Sequence, residues 1–135
     1  MFPKSLLRLS LLVGLMGIVL LSLSCGGISQ EVKLSAEDVD RQVEISKGQT
    51  LAITLRSNPT TGYTWEVSEI HEEVLRQVGE TEYKADSDLI GSPGVEILRF
   101  EALNSGSSTL TLVYHRPWEE GVEPLDTFSI QVTVR

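Results

Sequence analysis

The chain reads as an all-β protein, a sandwich of about seven to eight strands, and three observations predict it. Apolar and polar residues alternate in four separate stretches, which is the period of half-buried strands. Glycine, proline and asparagine punctuate the chain at short intervals, as turns between strands require. The segments between the alternating stretches carry no crossover helix of the kind that joins parallel strands.

In chain order, Val32–Ala36 and Gln42–Ile45 are short candidate strands. Leu51, Ile53 and Leu55 then alternate with Ala52, Thr54 and Arg56. Three further short candidates are Thr64–Ser68, Leu75–Val78 and Thr81–Lys84. Leu98, Phe100 and Ala102 alternate with Arg99 and Glu101, and Leu110, Leu112 and Tyr114 make a third set. Phe128, Ile130, Val132 and Val134 make the fourth. Lys47-Gly48, Asn58-Pro59, Gly79, Asn104-Ser105-Gly106 and Gly121 are the turn signals between them. Ile70–Gln77 has a faintly helical pattern with room for a single turn.

The N-terminus predicts export. Lys4 and Arg8 precede an apolar run from Leu9 to Leu21, the length of a signal-peptide core and short for a membrane span of about 20 residues. Small residues then surround the single cysteine: Ser24, Cys25, Gly26 and Gly27. This resembles a bacterial lipoprotein signal, in which the cysteine becomes the lipidated first residue. It departs from that pattern in having Ser22 where leucine is usual, with Leu21 and Leu23 on either side. The expected organisation is a signal over residues 1–24, a lipidated Cys25 with a tether to residue 31, and a domain over 32–135. An ordinary cleaved signal, or an uncleaved anchor with an incidental cysteine, is the alternative.

Removing the 24 residues ahead of Cys25 from 135 leaves 111, enough for one domain with one core. Lys4 and Arg8 go with them, so 11 basic residues become 9 against 19 acidic, and the net charge moves from −8 to −10. A chain so acidic has no basic stripe to neutralise phosphates, which argues against nucleic acid. It also argues against adhesion to anionic lipid through protein charge. Membrane contact is therefore expected only through the N-terminal lipid. A lone cysteine, modified, leaves no disulfide, so packing must hold the domain together. The acidity either steers a basic partner or serves solubility.

Three short stretches stand out between the strands: Asn58-Pro59-Thr60-Thr61-Gly62-Tyr63, Gly91-Ser92-Pro93-Gly94, and Arg116-Pro117-Trp118. Pro59 fixes its own φ and biases Asn58 toward extended geometry. Gly62 can take positive φ, and Asn58 can bond neighbouring backbone amides. Thr60 and Thr61 are then presented on a stiff tip. Trp118, between Pro117 and Glu119-Glu120-Gly121, is expected to be an exposed, rigid anchor of the type that dominates interfaces. The alternative folds Trp118 back over the end of the sandwich, with Arg116 paired to Asp126 or Glu120. Trp65 opens a strand and reads as core, and Tyr63 as a buttress for the first stretch.

The order and spelling of these stretches resemble the chagasin-type inhibitors of papain-like cysteine peptidases. The first and third motifs are complete. The second departs, because the family's adjacent glycines are here separated by Ser92 and Pro93. The resemblance spans about Val32 to Arg135. It implies an immunoglobulin-like antiparallel sandwich whose three motif loops cluster at one end. It also implies that Asn58–Tyr63, Gly91–Gly94 and Arg116–Trp118 together contact the peptidase and occlude its cleft as a monomer, without a cofactor.

No catalytic constellation is legible. The histidines, His71 and His115, have neither the spacing of a metal site nor a serine that the sequence places beside them. Glu72-Glu73 and Glu119-Glu120 read as solvated charge pairs. The expected function is reversible, non-covalent inhibition of a papain-like peptidase. The alternative is a surface-anchored immunoglobulin-like module whose loops bind something else.

Overall fold

The computed structural model describes residues 30–135. The expected signal over 1–24, Cys25 and the tether to Ser29 lie outside the described residues. Among the described residues, nine strands form two packed sheets. They are β1 (Glu31–Ser35), β2 (Gln42–Ile45), β3 (Thr50–Ser57), β4 (Thr64–Glu69), β5 (Leu75–Gln77), β6 (Glu82–Ala85), β7 (Gly94–Ala102), β8 (Gly106–His115) and β9 (Asp126–Val134). One sheet has the order β1-β3-β7, with β5 and β6 pairing successive lengths of the other side of β7. The other has the order β2-β9-β8-β4. Pairing is antiparallel except at two edges, where β1 joins β3 and β2 joins β9 in parallel. The architecture is the expected immunoglobulin-like sandwich.

The alternating residues build its core. Leu51, Ile53 and Leu55 of β3 face Leu110 and Leu112 of β8 and Phe128 and Ile130 of β9, all buried, with Leu98 and Phe100 of β7 beside them. At about 25 cal/mol per Å² of apolar area, this burial is the dominant stabilising term. Both sheets and this core lie between Glu31 and Val134, so Glu31, expected in the tether, is instead the first residue of β1.

Two positions fall outside the elements the sequence predicts. Ala36 leaves β1 for a 3-10 turn, Ala36–Asp38, that carries the chain from one sheet to the other. Gly106, expected in a turn, opens β8 and pairs with Val134. The faintly helical pattern of Ile70–Gln77 holds a single turn, as expected, in which the amides of Val74 and Leu75 both donate to His71 O at 3.0 Å, followed by β5.

Gly94 is the larger correction. It belongs to no loop: it starts β7, is buried, and pairs with Ser57 of β3 and Ala85 of β6. A Cβ there would lie 2.1 Å from Lys84 O and 2.8 Å from Ala85 Cα. The missing side chain lets three strands meet at the end where β3, β6 and β8 all release their loops. Gly91, by contrast, has φ +80° and open space around its Cα, so its role is conformational.

These two glycines therefore separate under substitution. Gly94→Ala should destabilise the domain by about 1–3 kcal/mol or more through overpacking against backbone. Gly91→Ala should cost only about 1–2 kcal/mol of left-handed strain. Chemical denaturation of both variants checks this, and a Gly94→Ala protein as stable as the parent would refute the packing role.

Candidate functional site

The register places Ser57, Ala85 and His115, the last residues of β3, β6 and β8, at one pole of the sandwich. The loops that follow them carry the three motifs, and the side chains bring these loops into contact.

In the first loop, Asn58 does what its type allows at the start of a turn. Its Oδ1 accepts from Thr60 N at 3.2 Å and from Thr60 Oγ1 at 2.6 Å, capping the 3-10 turn Pro59–Thr61. Gly62 ends that turn with φ +84° and donates its amide to Pro59 O at 2.9 Å. Thr60 and Thr61 are left exposed at the tip. The loop is also tied down from below, because Asn58 N donates to Tyr114 Oη at 2.9 Å. Tyr114 stacks on Trp65, with ring centroids 5.1 Å apart, and meets Tyr63 at 5.3 Å. Trp65 is core as expected, 4% exposed, and its Nε1 donates to Arg56 O at 2.9 Å. Tyr63 buttresses the loop as expected.

The second loop, residues 86–93, is closed at its neck by Asp86 N donating to Pro93 O at 2.9 Å. Arg56 grips Asp86 with two hydrogen bonds, at 3.2 and 2.7 Å, and holds its carboxyl below the usual aspartate range. Tyr83 Oη donates to Ser92 O at 3.0 Å, the Ser87 and Ser92 hydroxyls meet at 3.0 Å, and Ser92 N donates to Leu89 O at 3.1 Å. This internal bonding presents two residues that the sequence reading missed. Leu89 is 78% exposed and Ile90 fully so, the most exposed large apolar side chains among the described residues. No periodicity flags them; only their position at a tied loop tip does. A long contact of 3.5 Å from Asn58 Nδ2 to Gly91 O joins this loop to the first.

The third loop leans on the first. Arg116 Nε donates to Thr61 O at 3.0 Å, and the guanidinium lies 4.5 Å from the centroid of the Tyr63 ring. Its ion-pair partner is Glu119, at 3.3 Å, in place of the Asp126 or Glu120 weighed from sequence. Arg116 is therefore a strut between loops. Pro117 and Trp118 are exposed, Trp118 by 68%. One edge of the Trp118 ring nevertheless rests on Gly62, where a Cβ would come within 2.3 Å of it. Glycine at position 62 thus serves both the left-handed turn and the seat of the indole.

The histidines stand apart from any reaction chemistry. His115 Nε2 lies 2.9 Å from Glu66 Oε2, and His71 Nε2 lies 3.7 Å from Glu73 Oε2. Among the described residues, no group of His, Cys, Asp and Glu is arranged to hold a metal ion. What the pole offers is an internally bonded surface: Thr60 and Thr61 on the middle loop, Leu89 and Ile90 on one neighbouring loop, Pro117 and Trp118 on the other.

Comparison with known proteins agrees with this geometry. Residues 44–132 match the family described as chagasin family peptidase inhibitors. Amoebiasin-2 of Entamoeba histolytica is 29% identical over 121 residues, covering 87% of this chain and 97% of the relative. Amoebiasin-1 of the same organism is 31% identical over 107 residues, covering 77% of this chain and all of the relative. The crystal structure of a cysteine protease inhibitor from Entamoeba histolytica superposes with a TM-score of 0.68 at 28% identity, covering 78% of this chain and 95% of that one. With the sandwich and the match over most of the domain in agreement, the chain belongs to the chagasin family, whose members inhibit peptidases and are not enzymes.

Proposed function

We propose that this protein inhibits papain-like cysteine peptidases reversibly and without covalent chemistry, by laying its three loops over the active-site cleft. The observation that carries this reading is the mutual bracing of the loops. The first touches the second through Asn58 and Gly91, and the third through Thr61–Arg116 and Gly62–Trp118. Loops already held in one shape lose little entropy on binding, so contact area converts efficiently into affinity. Thr60 and Thr61 are small enough to enter a narrow cleft. Trp118, Leu89 and Ile90 supply apolar contact on either side. Asn58, Gly62, Tyr63, Gly91, Ser92 and Arg116 shape and brace the loops, and Gly94 works from beneath them.

The same reading places the protein at the cell envelope, carried by the signal-like segment and a lipidated Cys25. The topology suits such an anchor. β1 runs parallel to β3 from the Thr50 end, so the chain enters the domain at the pole opposite the loops. An anchor ahead of it leaves the loop face outermost, open to a soluble peptidase.

Titration of papain with residues 30–135 tests the inhibitory reading. Competitive, stoichiometric inhibition with the inhibitor recovered uncut is expected; no inhibition, or inhibition only after cleavage near Thr60–Thr61, contradicts occlusion. Trp118→Ala should weaken inhibition by about 2 kcal/mol or more, the range of a central aromatic anchor, with little change in thermal stability. An unfolded Trp118→Ala domain would show that the indole is scaffold. For the anchor, Cys25→Ser should move the protein from the detergent phase to the aqueous phase on partitioning. Equal partitioning of both forms into the aqueous phase would remove the lipid.

A further inference from the structure

Among the described residues, the buried set contains a single charged side chain, Glu96, at 4% exposure. It stands on β7 opposite Leu55 of β3 and Tyr83 of β6, on the face that Leu98 and Phe100 continue into the core. The strand pattern calls for an apolar residue there, and a carboxylate taken out of water carries a heavy desolvation cost unless its oxygens are bonded. Its partners are neutral donors on the other sheet. Oε1 accepts from Thr64 Oγ1 at 2.7 Å, and the two oxygens share the amide of Trp65, Oε2 at 3.2 Å and Oε1 at 3.4 Å.

Those donors occupy a particular place. Thr64 and Trp65 open β4, an edge strand of the second sheet, directly after Tyr63 closes the first loop. Two residues before Glu96 is Gly94, where the second loop returns to the sheet. The first loop is fixed at its entry by the bond from Asn58 N to Tyr114 Oη; its exit is fixed by Glu96.

We propose that Glu96 is a positioning residue for the inhibitory face, setting the exit of the first loop against the return of the second across the two sheets. The claim rests on the reading of that face as the inhibitory surface. A carboxyl group suits the task because it offers two oxygens, one within reach of the Thr64 hydroxyl and both within reach of the Trp65 amide. Glu96 is itself buried, so its effect passes through the shape of the first loop.

The test is Glu96→Gln in the full-length chain, solubilised in mild detergent, read by papain inhibition and by amide hydrogen exchange. Glutamine keeps the volume and one acceptor but replaces the second oxygen with an NH2 group. Inhibition should weaken about tenfold, within the range for leaving a buried donor without its partner. Exchange should quicken from Thr60 to Trp65 while the far pole, around Val132, stays protected. Val132→Ala, a core cavity at that far pole, supplies the control: it should lower the melting temperature and leave papain inhibition unchanged. Wild-type inhibition and wild-type exchange in Glu96→Gln would overturn the proposal, as would equal losses of inhibition in Val132→Ala at matched stability. Should Glu96→Gln fail to fold, Thr64→Val, which deletes only the hydroxyl donor, must show the same loop exchange and weaker inhibition, and a silent Thr64→Val overturns it. A wild-type chain that does not inhibit papain refutes the inhibitory reading instead, and loop exchange alone then decides whether Glu96 positions the loop.

Discussion

Tyr114 sits one residue before the end of β8, where the strand ladder gives out and the loops begin. Asn58 is the first residue beyond β3, and its amide has left the ladder that satisfied its predecessors. A backbone N–H in that position needs a partner or costs free energy, and the phenol oxygen of Tyr114 supplies it at 2.9 Å. The ring is held in turn by Trp65 and Tyr63. With its amide placed, Asn58 can turn its side chain onto Thr60 and fix the 3-10 turn. With the turn fixed, Thr61 O and Gly62 stand where Arg116 and Trp118 rest. The exposed features of the first and third loops therefore depend on one hydroxyl on one packed aromatic ring.

This chain of dependence explains why the loops carry so many side-chain bonds to their own backbone. A loop of proline, glycine and threonine left unbraced would sample many shapes, and each would cost entropy to select on binding. The second loop solves the same problem differently, with the Arg56–Asp86 pair at its neck and the Ser87–Ser92 contact above it. Exposed ion pairs add little to global stability. Here the pair has a local use, because it orients a neck that ends in two bare aliphatic side chains.

Much of this was legible in the residues and some was not, for physical reasons. Period-two alternation located the four long strands, since burial of one face leaves that imprint directly. Proline and glycine located the loops, and Trp118 emerged exposed, as its neighbours suggested. Gly94 was misread because glycine serves both turns and close approach, and only the three-strand junction shows which. Arg116 has several carboxylates nearby in sequence, and the direction of the loop, unknown in advance, selects Glu119. Tyr114 and Glu96 act on residues 56 and 32 positions away. Nothing local marks such pairs; they exist only once two sheets have packed. Leu89 and Ile90 resemble any short apolar run until a closed loop neck exposes them.

The account turns on the claim that Tyr114 sets the shape of the first and third loops through its hydroxyl, and Tyr114→Phe isolates that atom. The ring, its stacking on Trp65 and the core beneath are kept, and only the acceptor for Asn58 N is lost. The account predicts a domain that melts close to the parent yet inhibits papain about tenfold less tightly, the scale of a lost hydrogen bond at a partly buried amide. A Tyr114→Phe protein that inhibits papain as tightly as the parent would contradict it.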